Sequence, residues 1–171
     1  MNFMVPRSLS TDQRYYGVYE ALVSDVNDPA NEGRVKIKMP WFDEQMETEW
    51  CRVRQFYAGN GYGAFFVPEV GDEVLIAFIQ GDMRQPIILG GLYNGNDKPI
   101  YPVGEKTRLG FRSRSVTKGG TADFNEFTFD DKKGHEKLFL HAQKDMTTEV
   151  EKDQSLQVGH DRTVVVQNNG R

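Results

Sequence analysis

The sequence predicts an all-β protein: a small five-stranded barrel, a β-rich connector, and a terminal ribbon built on an eight-residue repeat. Three observations carry this. Short strand-like runs are separated by clusters of Gly, Pro, Asn and Asp. No long segment places its apolar residues at the three- and four-residue spacing of a helix. Near the C-terminal end, valines recur at a fixed interval of eight.

The first run, Tyr15 to Val26, ends at the turn Asn27-Asp28-Pro29. The second, Arg34 to Met39, alternates: Val35, Ile37 and Met39 share one face, and Arg34, Lys36 and Lys38 the other. Pro40 stops it. A polar, acidic stretch leads to the third run, Trp50 to Phe56, and then to the glycine-rich loop Ala58 to Gly63. Phe65-Phe66-Val67-Pro68 is expected to add a short strand. Glu73 to Ile79 and Pro86 to Tyr93 are the fourth and fifth strong runs, separated by a turn at Gly81-Asp82. Antiparallel strands this short gain most by abolishing their edges, hence a closed barrel.

Asn94 to Gly104 reads as a linker. Phe124 to Phe129 and Glu136 to His141 then flank Asp130 to Gly134, a hairpin turn. In the terminal ribbon, Val150, Val158 and Val166 are spaced by eight, as are Leu156 and Val164, Ser155 and Thr163, and Asp153, Asp161 and Asn169. Eight residues suit a strand and a turn, and a helix would drift off that period. One ribbon cannot bury its own valines, so symmetry mates must cover them. The expected interior is therefore Val150, Leu156, Val158, Val164 and Val166, with Lys152, His160 and Arg162 outside or at turns.

Composition excludes several classes. A net charge of -4 over 171 residues is not the signature of a nucleic-acid binder. No apolar run reaches the roughly 18 residues of a membrane-spanning helix, and no signal peptide is read at Met1 to Ser10. The single cysteine, Cys51, has no partner for an intrachain disulfide. Flanked by strand residues, it reads as a small core side chain. His135, His141 and His160 lack metal-ligand spacing, and no general acid/base pair stands out, so neither catalytic residues nor cofactors are assigned. The Ala58 to Gly63 loop precedes no helix and is read as structural, not as a phosphate cradle. Arg34, Lys36, Lys38, Arg52 and Arg54 share strand parity and define the alternative reading, a single-stranded nucleic-acid-binding barrel. Against it, no aromatics interleave, and Glu44, Glu47 and Glu49 lie close enough in sequence to neutralise the stripe.

The segments GRVKIKMPWF (Gly33 to Phe42), WCRVRQFYAGNGYGAFFVPEVGDEVLIAFIQGD (Trp50 to Asp82) and RQPIILGGLYNG (Arg84 to Gly95) resemble the barrel of the valine–glycine repeat spike proteins (VgrG) and their phage tail-spike relatives. FDDKKGHEKLFLHAQKDM (Phe129 to Met146) resembles the segment where that family begins its trimeric β-helix. The resemblance implies an oligonucleotide/oligosaccharide-binding (OB) type barrel over 15–95. A linker and hairpin connector follows over 96–145, and the start of a β-helix over 146–171, with 1–14 as an N-terminal arm. It also implies a homotrimeric, non-enzymatic central spike of a contractile injection system. The implied partners are baseplate hub and inner-tube proteins, a PAAR-type tip protein or effector cargo, and a target membrane pierced mechanically. Such a spike is made in the cytoplasm and delivered in a particle. The chain has no room for the large hub domain that precedes the barrel in many VgrG proteins. The fifty or so residues between barrel and repeat are too few for the lysozyme insert of some phage spikes, which weakens a third reading, a spike-associated hydrolase. The needle is short, so the chain is either a compact spike component or part of a longer one.

Overall fold

In strand β2 (Lys36–Met39) and the residue before it, Val35, Ile37 and Met39 are completely buried while Lys36 and Lys38 remain partly exposed. That is the period of two the sequence prescribes. The computed structural model describes residues 14–102, 104, 106–116 and 119–167; the expected N-terminal arm, apart from Arg14, and Asn169 of the repeat lie outside them. The chain divides into two units, Met1–Pro99 and Ile100–Arg171.

The first unit holds β1 (Val18–Asp25), β2, β3 (Asp43–Glu47), β4 (Arg52–Val53), β5 (Ala58–Gly59), β6 (Tyr62–Gly63), β7 (Glu73–Phe78) and β8 (Pro86–Gly91). Its main sheet runs β3-β2-β1-β7-β8-β4. All pairings are antiparallel except β4 with β8, where Arg52 faces Ile87 and Val53 faces Ile88 in parallel. A reciprocal backbone pair between Val35 and Cys51, with N···O distances of 3.0 and 2.7 Å, joins the ends of β2 and β4. That bridge closes a five-stranded OB-type barrel from β1, β2, β4, β8 and β7. Val35, Ile37, Met39, Val74, Ile76 and Ile88, each at most 1% exposed, fill it. Removing such side chains from water contributes about 1.5–3 kcal/mol each.

Three local expectations need correction. The third run shortens to a two-residue strand: Arg52 and Val53 pair with β8, and after one further amide bond from Arg54 to Ile88 O the chain leaves it. Phe65 and Phe66 form no strand; Gln55 instead ties the Phe66 backbone through both its amide atoms, at 2.9 and 3.0 Å. The acidic stretch after Pro40 is a strand, β3, because β2 offers an open edge to which Glu47 and Asp43 pair.

The barrel's first turn is built on Asp28. Its carboxylate accepts from the amides of Ala30, Glu32 and Arg34 and from the Arg34 guanidinium, at 2.8–3.2 Å. The Arg34 side chain, with these amides, holds the Asp28 carboxyl well below the usual carboxylate range. Asn31 and Gly33 adopt positive φ (54° and 69°) to bring those amides round.

The second unit is a three-stranded antiparallel sheet in the order β11 (Lys137–His141), β10 (Phe124–Asp130), β9 (Arg108–Arg114). The β10–β11 hairpin turns through Asp131–Glu136, where the His135 amide donates to Lys132 O at 2.8 Å and Gly134 takes φ 79°. β9 was not expected from the sequence. It completes the sheet by pairing along the whole of β10, from Phe124 opposite Arg114 to Asp130 opposite Arg108.

Candidate functional site

The octad segment supplies the residues expected to act together, so its geometry comes first. Beyond β11 the chain is extended and makes no ladder with itself through Gln167. It bends at Gln143-Lys144, at Glu151-Lys152 and at Gly159-His160. The bends are eight residues apart, so the period read from residue types is also a period of the backbone. At each bend a lysine or histidine precedes an aspartate. Lys144 lies 3.4 Å from Asp145, Lys152 3.9 Å from Asp153, and the His160 Nδ1 2.6 Å from the Asp161 carboxylate. Six-residue segments outside any ladder run between the bends and end in Val150 and Val158; Val166 holds the same phase in the following segment. Short polar pairs favour corners, where both side chains reach water, and the β-branched valines favour the extended stretches between.

The five residues expected in a needle interior are all solvent-exposed in the single chain: Val150 and Val158 by 46% and 45%, and Leu156, Val164 and Val166 by about two thirds. One chain thus places them in repeating register but does not bring them together.

Residues weighed for other chemistry fall elsewhere. Arg34 and Lys36 are engaged, the first with Asp28 and Glu32 and the second with Glu47 at 3.2 Å. Lys36 also lies 5.3 Å from the Trp50 ring centroid, an aromatic neighbour not foreseen for the basic stripe. Cys51 is buried, its thiol donating to Glu49 O and lying 3.2 Å from the Thr48 hydroxyl. Burial pushes that thiol up, which disfavours the reactive thiolate. The Ala58 to Gly63 loop is a two-stranded hairpin, β5 with β6, without a following helix. His141 Nδ1 pairs with Phe124 O at 3.0 Å. Among the described residues, no group of His, Cys, Asp and Glu is placed to hold a metal ion.

A feature that sequence reasoning missed lies on one face of the β9–β10–β11 sheet. Glu126 and Thr128 on β10 are 6% and 7% exposed. The Glu126 carboxylate accepts from the Thr128 hydroxyl, from the Tyr101 hydroxyl at 3.0 Å, and from the Arg112 guanidinium at 2.5–2.6 Å. Burial opposes ionisation here, but these donors outweigh it and hold the carboxyl below the ordinary glutamate range. Gly110 allows the Tyr101 hydroxyl to approach, since a β-carbon at that position would lie 2.9 Å from it. The signal available in the sequence was the alternation Glu126-Thr128 against Phe127-Phe129, with the polar pair on the side that turns out to be covered.

Comparison with known proteins bears on both units. Residues 19–93 match the family model of the type VI secretion system/phage-baseplate injector OB domain. Residues 109–171 match that of the bacteriophage T4 gp5 C-terminal trimerisation domain. The chain belongs to the VgrG and phage tail-spike family. It is 43% identical over 140 residues to the type VI secretion system spike protein VgrG1b of Pseudomonas aeruginosa, covering 78% of this chain and 19% of that protein. VgrG1c of the same organism matches at the same identity and coverage. The actin cross-linking toxin VgrG1 of Vibrio cholerae is 39% identical over 140 residues, covering 79% of this chain and 12% of that protein. The chain therefore spans about a fifth or less of the length of these relatives. The injector barrel match falls on the first unit and the trimerisation match on the β9–β10–β11 sheet and the octads.

Proposed function

We propose that this chain is the barrel and needle base of a structural central spike in a contractile injection system, assembled as a homotrimer. The observation that carries the reading is the shared eight-residue phase of residue type, bend and Lys/His–Asp pair from Lys144 to Val166, within the trimerisation match. Its division of labour follows the sequence: barrel over 15–95, connector over 96–145, needle from 146. Val150, Leu156, Val158, Val164 and Val166 line a common three-fold axis, and the Lys/His–Asp corners face water.

The action is mechanical and needs no catalysis. Sheath contraction drives the particle's tube forward, and a stiff β-structure concentrates the force on a small area of the target membrane. The reading places hub and inner-tube proteins at one end and a PAAR-type tip protein or effector cargo at the other. The chain is made in the cytoplasm and leaves it inside the particle. Light scattering on the purified chain should give about three times its 19.5 kDa mass. A monomer throughout the micromolar range overturns the proposal. The pure protein should also leave a peptidoglycan zymogram uncleared; clearing abolished by substituting one carboxylate would make it a hydrolase.

A further inference from the structure

Six asparagines lie among the described residues. Asn27, Asn31, Asn96 and Asn125 each precede an aspartate or a glutamate, while Asn60 and Asn94 precede glycine. An Asn-Gly pair is the arrangement most open to self-modification. The glycine amide nitrogen can reach the asparagine side-chain carbon because no β-carbon stands in the way. The barrel unit holds its two Asn-Gly pairs in opposite states.

Asn94 is fastened. Its Nδ2 donates to the Glu73 carboxylate at 2.6 Å and to the Asp97 carboxylate at 3.2 Å. Its Oδ1 accepts from the amides of Asn96 and Asp97 at 2.8 and 2.7 Å. Both side-chain atoms are therefore committed, and swinging the amide towards the Gly95 nitrogen breaks all four bonds. Asn60 is loose. With Gly61 it forms the two-residue turn beyond the pairs Ala58–Gly63 and Gly59–Tyr62 of the β5–β6 hairpin. Both turn residues are exposed, and among the described residues no group bonds the Asn60 side chain. Gly61 takes φ 78°, and nothing lies within 4 Å of the place a β-carbon would occupy there.

We infer that Asn60 is a site of spontaneous deamidation and that the fold protects Asn94 from the same reaction. The Gly61 nitrogen attacks the Asn60 Cγ. The Cγ–Nδ2 bond breaks, and ammonia leaves with the proton that the Gly61 nitrogen gives up. A cyclic imide remains. Water then adds to either ring carbonyl. Breaking the bond from the Gly61 nitrogen to Cγ gives aspartate. Breaking its bond to the Asn60 backbone carbonyl carbon gives isoaspartate, with the main chain rerouted through the side chain. Water is the sole co-reactant. Either product adds a negative charge to a chain that already carries -4. Isoaspartate also lengthens the main chain by a methylene in a hairpin with little slack. The Tyr62 ring lies directly over Gly59, and a β-carbon on Gly63 would sit 2.7 Å from the Tyr57 carbonyl oxygen. The hairpin thus records the age of the chain, whatever the chain assembles with.

The test incubates the full chain for days at mildly alkaline pH, once native and once in denaturing guanidinium chloride. Trypsin then places Asn60 in the peptide 55–84 and Asn94 in 85–106. Mass spectrometry reads the exchange of amide for carboxyl in each, and fragment masses separate Asn94 from Asn96. In the native chain Asn60 converts about tenfold or more faster than Asn94, a barrier difference of about 1.4 kcal/mol. In denaturant the two convert at similar rates. Asn60→Gln keeps the β signature in circular dichroism and leaves the 55–84 peptide unchanged in mass. Equal native rates at the two sites overturn the inference, as does an Asn60 that stays intact while the denatured chain converts. A gap of the same size in denaturant assigns the difference to local sequence and overturns the protection of Asn94.

Discussion

Glu126→Ala tests the polar network that closes one face of the second unit. The substitution removes an acceptor from three donors, but not all of them are stranded. The Tyr101 and Thr128 hydroxyls are 2.5 Å apart and can satisfy each other. The Arg112 side chain is 32% exposed, so water can reach the guanidinium. The loss is therefore smaller than the ~3–5 kcal/mol of breaking a fully buried pair, and about 2–4 kcal/mol is expected. Glu126→Gln keeps the acceptor oxygen and loses the charge, at about 1–2 kcal/mol. The pH dependence has a definite sign. Because the folded carboxyl lies below its unfolded value of 4.5, the stabilisation is fully present above that pH. It is lost as pH falls through the folded value, so the gap between parent and Glu126→Ala narrows in acid. Thermal unfolding should be followed by circular dichroism at one protomer concentration, since assembly makes the midpoint concentration-dependent. A gap below about 0.5 kcal/mol at pH 7, or one that stays constant into acid, refutes the reasoning.

Four further outcomes are expected. Ile76→Ala should destabilise the barrel by about 2–5 kcal/mol and Ile76→Val by about 1 kcal/mol, read by urea unfolding with the fluorescence of Trp41 and Trp50, because Ile76 is fully buried between β1 and β8. Asp28→Ala should lower the barrel's urea midpoint at pH 7 and bring no deficit in strong acid, since Asp28 contributes only while ionised. Gly33→Ala should also lower it, because φ 69° disfavours any side chain and the new carbon would sit 2.6 Å from the Phe65 ring. Val158→Asp should weaken the trimer strongly and Asp161→Asn hardly at all, measured as dissociation on dilution; equal assembly of the Val158→Asp variant and parent removes the valines from the axis.

The barrel was legible where burial alternates with exposure along a strand. β2 and β7 each repeat a partly exposed residue and a buried one, and both could be read directly from residue type. β3 was not legible. Asp-Glu-Gln-Met-Glu buries almost nothing, and the strand exists because β2 has backbone groups to pair. The third run was overread: β8 continues to Gly91, but past Arg54 the chain leaves it, and Gln55 turns to the Phe66 backbone. β9 was missed for the opposite reason: Leu109 and Phe111 have the right spacing, but Gly110 between them and the arginines around them look like linker composition. In the octads the period was legible, and the backbone repeats it. The Lys/His–Asp pairing at each bend was not seen, although Lys144-Asp145, Lys152-Asp153 and His160-Asp161 are adjacent in sequence.

The two units solve the problem of unpaired strand edges in different ways, and the difference orders assembly. The first unit joins its own ends through Val35 and Cys51, and its core residues are covered by its own strands. Its folding is therefore unimolecular and independent of concentration. Among the described residues, the second unit leaves the outer edges of β9 and β11 without ladder partners, exposes Leu109, Leu138 and Leu140, and continues into octads that form no ladder. An open edge beside an apolar face is a hazard in a lone chain and an instruction in an assembly. Each protomer can thus complete its barrel first and carry an unfinished sheet to its partners. Covering that face by another chain would be a concentration-dependent step, unlike the closure of the barrel.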